Sequence, residues 1–240
     1  MRKVFVSAAL LAACSMGVAH AGGLEINPVR IVFPAGQTVA VMHIKNNTDA
    51  KTVMQVSAFR WTQPDGKDKL TPTRTLLAAP PIFNIPPGKA QVIRIGLLAS
   101  ANDKRETAYR LLVTQVPQKS ATGKLGVNFV WRFSIPVFVA PLHGHAVPLL
   151  NWSVHREGGR KLELTVRNVG TGHALVSKLA VAAKADSPAL QKLDFGGDLL
   201  AGASRHWTIK LSKSALSMQI LVVRGNNNSG PFHKQLHLSQ

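Results

Sequence analysis

Apolar and polar residues alternate with a period of two over most of the chain. The pattern is clearest in TVAVMHIKN at 38–46, in TVMQVSAFRWT at 52–62 and in AQVIRIGLL at 90–98. Turn-forming Gly, Pro, Asn and Asp residues separate such segments roughly every 8–12 residues, and helix signals are nearly absent. Because a period of two places successive side chains on opposite faces of a strand, the pattern predicts an all-β protein.

The alternating segments fall into two sets, separated by LHGHAVP at 142–148, a short segment that contains glycine and proline. Each set holds roughly seven predicted strands, the number typical of an immunoglobulin-like sandwich. In the second set, REGGRKLELTV predicts a hairpin, since Gly158 and Gly159 permit the positive φ of its turn. We therefore predict two immunoglobulin-like β-sandwich domains, at residues 22–142 and 143–240. One large sandwich or barrel is the alternative if the separating segment is an ordinary loop.

The segment VNFVWRFSIPVFVAP at 127–141 is unusually apolar for a strand of a soluble protein. Large apolar side chains occupy every second position at Val127, Phe129, Trp131 and Phe133, and the other face is half apolar. At an exposed sheet edge such a strand would pair with another chain. Either the segment lies in the middle of a core, which its residues alone favour, or pairing with another chain is its function.

The first residues of the chain have the organisation of an export signal. Residues 1–21 begin with basic side chains, continue as a short apolar run and end in Ala-His-Ala at 19–21. This pattern predicts a cleaved secretory signal peptide. The only cysteine, Cys14, lies within it, and LAAC at 11–14 leaves lipid attachment as an alternative. No later segment has eighteen uninterrupted apolar residues, so we expect no transmembrane segment.

The chain is strongly basic, with 29 Lys and Arg against 11 Asp and Glu, a net charge of +18. Removing Arg2 and Lys3 with the signal leaves 27 against 11, or +16. Such a charge attracts polyanions. However, the basic residues are dispersed and no RNA-recognition motif accompanies them, so we expect no nucleic-acid partner. A secreted β-sandwich that binds carbohydrate or an anionic polymer remains an alternative function.

The sequence contains no recognisable catalytic motif. It has neither a glycine-rich phosphate loop after a strand nor a Gly-x-Ser-x-Gly elbow, and the predicted mature chain has no cysteine. His143 and His145 are two residues apart, but no further ligand lies at a useful spacing. We therefore predict a protein that is not an enzyme and that has no cofactor and no metal site.

Several segments, taken in order, resemble the periplasmic chaperones of the chaperone–usher pathway, which assemble fimbriae. INPVRIVFPAG is similar to the family's first strand, and PPIFNIPPGKAQVIRIG to its segment Pro-Pro, Pro-x-Gly, Gln-x-x-Arg. RETAYRLLVTQVP resembles the family's next strand, and VNFVWRFSIPVFVAP stands where the family has the last strand of its first domain. The second domain is similar more loosely.

The resemblance implies two immunoglobulin-like domains in a boomerang arrangement and a location in the periplasm. Members bind pilin subunits that lack their final strand, lend them a strand of their own and deliver them to an outer-membrane usher. In this chain the resemblance makes the donor strand the segment that carries Val127, Phe129, Trp131 and Phe133. The apolar side chains would then replace the core that the subunit lacks.

The resemblance also implies cationic anchors for the carboxylate at the subunit's C-terminus. Arg30 corresponds to the family's basic residue in the first strand, whereas the usual lysine position of the last strand holds Pro136. We expect Arg94 or Arg132 as the second anchor. The form SIPVFV is more similar to the archaic branch of the family.

A further family feature is an ion pair between the domains, and the resemblance places Glu106 in it. The position of the usual arginine partner is occupied by Ala140. The resemblance therefore leaves the partner of Glu106 open.

Overall fold

The computed structural model describes residues 23–98, 101–102, 104–117 and 129–238. The predicted signal peptide and Val127 lie outside these residues. The described residues form strands joined by turns, loops and two short 3-10 helices.

The first half of the chain forms two sheets that face each other. One has the order β1-β3-β8-β6, and the other has the order β2-β10-β9-β4-β5, with β7 also paired to β4. The ten strands are β1 (Leu24–Asn27), β2 (Ile31–Phe33), β3 (Val39–Asn46), β4 (Thr52–Thr62), β5 (Lys69–Pro72), β6 (Leu76–Ala79), β7 (Ile82–Ile85), β8 (Ala90–Leu97), β9 (Thr107–Gln115) and β10 (Arg132–Val139).

The second half of the chain forms a second pair of sheets. One has the order β11-β12-β16, and the other has the order β14-β13-β17-β18, with β15 also paired to β13. The eight strands are β11 (Leu150–Gly158), β12 (Lys161–Asn168), β13 (Ala174–Ala182), β14 (Ala189–Lys192), β15 (Gly197–Leu199), β16 (Ser204–Lys210), β17 (Ile220–Asn227) and β18 (Gly230–His237).

Each pair of sheets encloses its own apolar core, as the alternating pattern requires. The core of the first pair includes Met42 and Ile95 from one sheet and Leu111 and Val137 from the other, all fully buried. The fold is therefore all-β with two β-sandwiches, as predicted from the sequence. The predicted boundary between residues 142 and 143 lies between β10 and β11 and stays a prediction.

The structure differs from the sequence pattern where proline interrupts a segment. LEINPVRIVF is divided into β1 and β2, which lie in different sheets, because Pro28 has no N–H to continue a ladder. The Pro-rich segment 76–88 contributes β6 to one sheet and β7 to the other, and each pairs with one described strand, so both lie at sheet edges. The predicted Gly158–Gly159 turn is present, with φ of 91° and 57°.

Candidate functional site

Strand β10 lies next to the edge of its sheet and leaves part of its own length unpaired on one side. It pairs along its whole length with β9, but with β2 only from Val137 to Val139. Along Arg132–Pro136, no described strand pairs with β10 on the side away from β9. This part of β10 is therefore an open edge of the sheet.

The direction of the backbone groups along this edge follows from one hydrogen bond. Gln115 N donates to Trp131 O at 2.8 Å, so Trp131 is a hydrogen-bonded partner of β9. Because such pairs alternate along antiparallel strands, the N–H and C=O of Arg132 and Ser134 point away from β9. Pro136 is two residues after Ser134, so its backbone nitrogen also points away from β9. The absence of an N–H at Pro136 therefore removes no hydrogen bond to β9.

The apolar residues before β10 are exposed. Phe129 retains 83% of its accessible surface and Trp131 retains 44%. Trp131 stacks on Phe133 with ring centroids 5.9 Å apart, and Phe133 packs against the first core. The row of alternate apolar residues thus starts in solvent at Phe129 and ends inside the sandwich. Val127, which the sequence places in the same row, is outside the described residues.

The other face of β10 carries Pro136 between two arginines. Val137 pairs with Ile31 in the parallel β2, so the residues before them, Pro136 and Arg30, lie side by side. On the other flank, Pro136 pairs with Arg110 of β9. We call Arg30, Pro136 and Arg110 the arginine site.

Arg110 is held in an environment that disfavours a lone charge. Its guanidinium lies 3.7 Å from the centroid of the Trp61 ring, and its contact with Ser134 O is long, at 3.5 Å. Burial lowers the pKa of Arg110, an effect that Asp198 and Asp68 oppose. Among the described residues, no carboxylate lies within ion-pair distance of Arg110. The carboxylates thus offset burial only in part, and a bound anion would stabilise the guanidinium further.

Arg30, by contrast, contacts the second half of the chain. Its Nη2 donates to Asp198 Oδ1 at 2.9 Å, and its Nη1 donates to His173 Nε2 at 2.7 Å. Its Cζ also lies 5.0 Å from the centroid of the Phe138 ring. The guanidinium has five donors, so these two contacts leave others for a ligand.

The sequence of the site matches a known family. The family model for pili and flagellar-assembly chaperones, PapD N-terminal domain, matches residues 23–144, about half of the chain. The chain belongs to this family. It is therefore a pilus-assembly chaperone, and the family is not a class of enzymes. No curated protein matches the chain in sequence.

Solved chaperone structures share the fold over nearly the whole length. A chain of the CsuC–CsuE chaperone–tip adhesion subunit pre-assembly complex, from archaic chaperone-usher Csu pili of Acinetobacter baumannii, has a TM-score of 0.68 at 22% identity, covering 91% of this chain and 100% of that one. The YadV chaperone gives 0.63 at 17% identity, covering 90% and 99%. The Salmonella enterica SafA pilin complex with the SafB chaperone gives 0.60 at 18% identity, covering 88% and 95%. At these identities the likeness shows the fold.

The structure separates the three cations predicted as anchors in the chaperone. Arg30 belongs to the arginine site, and Arg132 lies on the same face of β10 as Pro136, at the exposed start of the strand. Arg94 lies in β8, in the opposite sheet, where it pairs with Val41. Arg94 is thus not brought together with the other two, and the anchoring roles of all three stay predictions.

Sequence reasoning did not identify Arg110 as a candidate. RETAYRLLVTQVP shows an arginine in the polar phase of a strand, which is ordinary for a surface position. Only the register between β9 and β10 places it beside Pro136, where the family resemblance expected a lysine.

Other kinds of site receive no support from the described parts of the chaperone. Within residues 23–98, 101–102, 104–117 and 129–238, no three His, Cys, Asp or Glu side chains are grouped so as to hold a metal ion. Across the same ranges, no helix is long and apolar enough to cross a membrane.

Proposed function

We propose that the chaperone captures fimbrial subunits in the periplasm by lending them the open edge of β10 and the exposed row before it, and then delivers them to an outer-membrane usher. The observation that carries this proposal is the coincidence of an unpaired backbone edge with Phe129 and Trp131 exposed beside it. An open edge supplies main-chain hydrogen bonds, and alternate apolar side chains supply the filling of a groove.

The exposed aromatic side chains and the open edge of β10 are unfavourable in water, and a subunit that covers them removes that cost. Large aromatic side chains in water favour association, and an open strand edge directs that association toward a strand. A subunit sandwich that lacks one strand has the complementary defects, namely an apolar groove and unpaired backbone groups. Burying three side chains of this size would contribute on the order of 5 kcal/mol before ordering costs. Binding of the subunit in this way needs no nucleotide.

The arginine site gives the capture its register. A carboxylate between Arg30 and Arg110 would receive charge-assisted hydrogen bonds from both sides of Pro136. Because Arg110 is half-buried and has no ion-pair partner among the described residues, it gains more from this ligand than Arg30 does. We propose that the subunit's terminal carboxylate binds here, so that Arg110 serves in place of the family lysine.

We also propose that the chaperone belongs to the archaic branch of the family. This proposal is supported by SIPVFV in β10, where Pro136 stands at the lysine position, and by the fold similarity to a chain from the archaic Csu pathway.

Capture is tested by co-expressing the chaperone with the exported protein encoded next to it and measuring how much of that protein co-purifies. Trp131→Glu should reduce the recovered protein at least about tenfold, since the groove would have to bury an unpaired charge. Leu77→Glu is the matched control, because Leu77 is 47% exposed on the opposite sheet, close to the 44% of Trp131.

Two outcomes would refute the donor-strand role. One is recovery by Trp131→Glu at the level of Leu77→Glu. The other is a large loss of thermal stability in free Trp131→Glu, which would show that the segment belongs to the core of the chaperone itself.

A further inference from the structure

His173 lies at the junction of the two sandwiches, and its neighbours favour one tautomer of its ring. Arg30 can only donate hydrogen bonds, so the contact of 2.7 Å from its Nη1 requires His173 Nε2 to accept. His173 Nδ1 lies 2.7 Å from Glu106 Oε1, a carboxylate oxygen that can only accept. The two contacts therefore favour the tautomer that carries its proton on Nδ1 and leaves the lone pair of Nε2 facing Arg30.

The ring is fixed from three sides. Glu106 Oε1 also accepts from the backbone N of His173 at 3.0 Å, so one carboxylate oxygen holds both the main chain and the ring. The ring stacks on Phe138, with centroids 3.6 Å apart and planes 6° from parallel. Since Arg30 also lies over Phe138, the phenyl ring is a common platform for both groups.

The chain of contacts runs from one sandwich to the other and back. Glu106 precedes β9, His173 precedes β13, and Arg30 precedes β2. The glutamate is thus linked through the histidine to an arginine of its own domain. His173 is thus the interdomain partner of Glu106, which the sequence could not identify because Ala140 stands at the usual arginine position.

We propose that His173 is a positioning residue for subunit capture: through Nε2 it orients the Arg30 guanidinium so that its remaining donors face the arginine site. The inference rests on the proposed function. Asp198 alone would hold Arg30 by one nitrogen, and only the Phe138 ring would then limit rotation of the guanidinium plane. The second contact, at the other terminal nitrogen, fixes that plane.

Two substitutions separate positioning from simple structural support. The amide nitrogen of an asparagine overlays the Nδ1 position of histidine, so His173→Asn keeps the link to Glu106 and loses the link to Arg30. The amide of a glutamine overlays Nε2, so His173→Gln keeps an acceptor for Arg30 and loses the link to Glu106. Both replace the imidazole that stacks on Phe138 with an amide.

We expect His173→Asn to capture about tenfold less of the co-expressed subunit than the wild type, and His173→Gln to stay within about threefold of it. Equal capture by the two variants, or a larger loss in His173→Gln, would overturn the inference. Thermal unfolding of both free proteins shows whether either loss reflects an unfolded chaperone.

The tautomer can be measured in the free chaperone without any subunit. Long-range proton–nitrogen correlation spectra at pH 8 should show Nδ1 protonated and Nε2 unprotonated in His173. A proton on Nε2 would refute the inference whatever the capture assays show. If the wild type captures no subunit, the proposed function fails, and the tautomer measurement still decides whether His173 holds Arg30.

Discussion

The residues of the arginine site have unequal electrostatic surroundings. Arg30 already has Asp198 at 2.9 Å, whereas Arg110 has an aromatic ring, a long contact to a carbonyl and a pKa lowered by burial. A guanidinium remains charged in both environments. The difference lies in how much each gains from an added carboxylate, and that gain is larger for Arg110.

Replacing Arg110 should therefore affect binding more than folding. We expect Arg110→Gln to reduce subunit capture about tenfold or more, because a charge-assisted hydrogen bond is lost. The midpoint of thermal unfolding should change by less than about 3 °C, because removing a half-buried charge offsets the lost contact with Trp61. Arg60→Gln is the control, since Arg60 also lies over an aromatic ring, that of Tyr109 at 5.1 Å. Equal capture by both variants would remove Arg110 from the site.

Asn168 illustrates a residue that serves the fold alone. It is fully buried, and its Nδ2 donates to the carbonyls of Gly172 and Leu199 at 2.8 and 2.9 Å. Its Oδ1 accepts from the backbone N–H groups of Leu149 and Gly170 at 3.2 and 3.1 Å. One side chain thus satisfies four backbone groups of the second sandwich.

Removing this amide should destabilise the protein. We expect Asn168→Ala to lower the free energy of unfolding by about 3 kcal/mol, because buried backbone groups are left without partners. Asn151→Ala, at an exposed position of β11, should stay within about 0.5 kcal/mol of the wild type. Urea denaturation measures both values. Indistinguishable midpoints would mean that water replaces the Asn168 amide.

The two sides of strand β10 differ in their backbone pairing. On one side β10 pairs with β9 along its whole length, and on the other side it is unpaired from Arg132 to Pro136 within the described structure. A proline therefore has opposite effects at neighbouring positions, according to which side its nitrogen faces. Pro136 itself already shows the tolerated case.

A proline scan along β10 tests this assignment. Ser134→Pro removes an N–H from the open side, so we expect a folded chaperone with at least about fivefold weaker subunit capture. Ile135→Pro removes an N–H directed at β9 and should destabilise the fold by about 3 kcal/mol. Circular dichroism melting and co-purification distinguish the two. A Ser134→Pro protein that melts as early as Ile135→Pro would show that the edge is not open.

The two sandwiches are held in contact by more than the Arg30–His173 cluster. Trp61, Ala108 and Phe138 of the first half belong to the apolar cluster of the second half. Gln63 accepts from the backbone N of Leu200 at 2.9 Å through its side-chain oxygen. These contacts fix the position of the second sandwich relative to the arginine site.

Gly66 permits a close approach between the backbones of the two halves. Its φ is +71°, and a Cβ placed there would lie 2.7 Å from the backbone oxygen of Ser204. Gly36 has a φ of +81° and nothing within 4 Å of such a Cβ. The two glycines therefore share the backbone requirement and differ in the interdomain contact.

Gly66→Ala should loosen the arrangement of the domains. Both Gly66→Ala and Gly36→Ala should lose about 1–2 kcal/mol of stability from the positive φ. Only Gly66→Ala should increase the radius of gyration in small-angle X-ray scattering. Mild proteolysis near residues 140–148 should also be faster in Gly66→Ala, releasing fragments close to the predicted domain boundary. Identical scattering from both variants would show that the close approach does not control domain orientation.

Features of the fold that depend on neighbouring residues could be predicted from the sequence, whereas those that depend on distant residues could not. The strands around 38–46, 52–62 and 90–98 follow from alternation alone, and their predicted bounds differ from the observed ones by a residue at most. The division of 24–33 between two sheets and the strands β6 and β7 could not be read in advance. Proline marks a break in a ladder, but the sheet that each side joins is decided by packing.

The sequence by itself determined the sandwich class, because local alternation and turn residues specify which face of each strand is buried. The sequence also identified Arg30 and the apolar segment 127–141 as candidates for subunit binding. The tertiary structure alone decided that Phe129 and Trp131 are exposed, that Arg110 lies beside Pro136, and that Glu106 reaches Arg30 through His173. These facts depend on strand register and on contacts between residues far apart in the chain, and no local pattern encodes either.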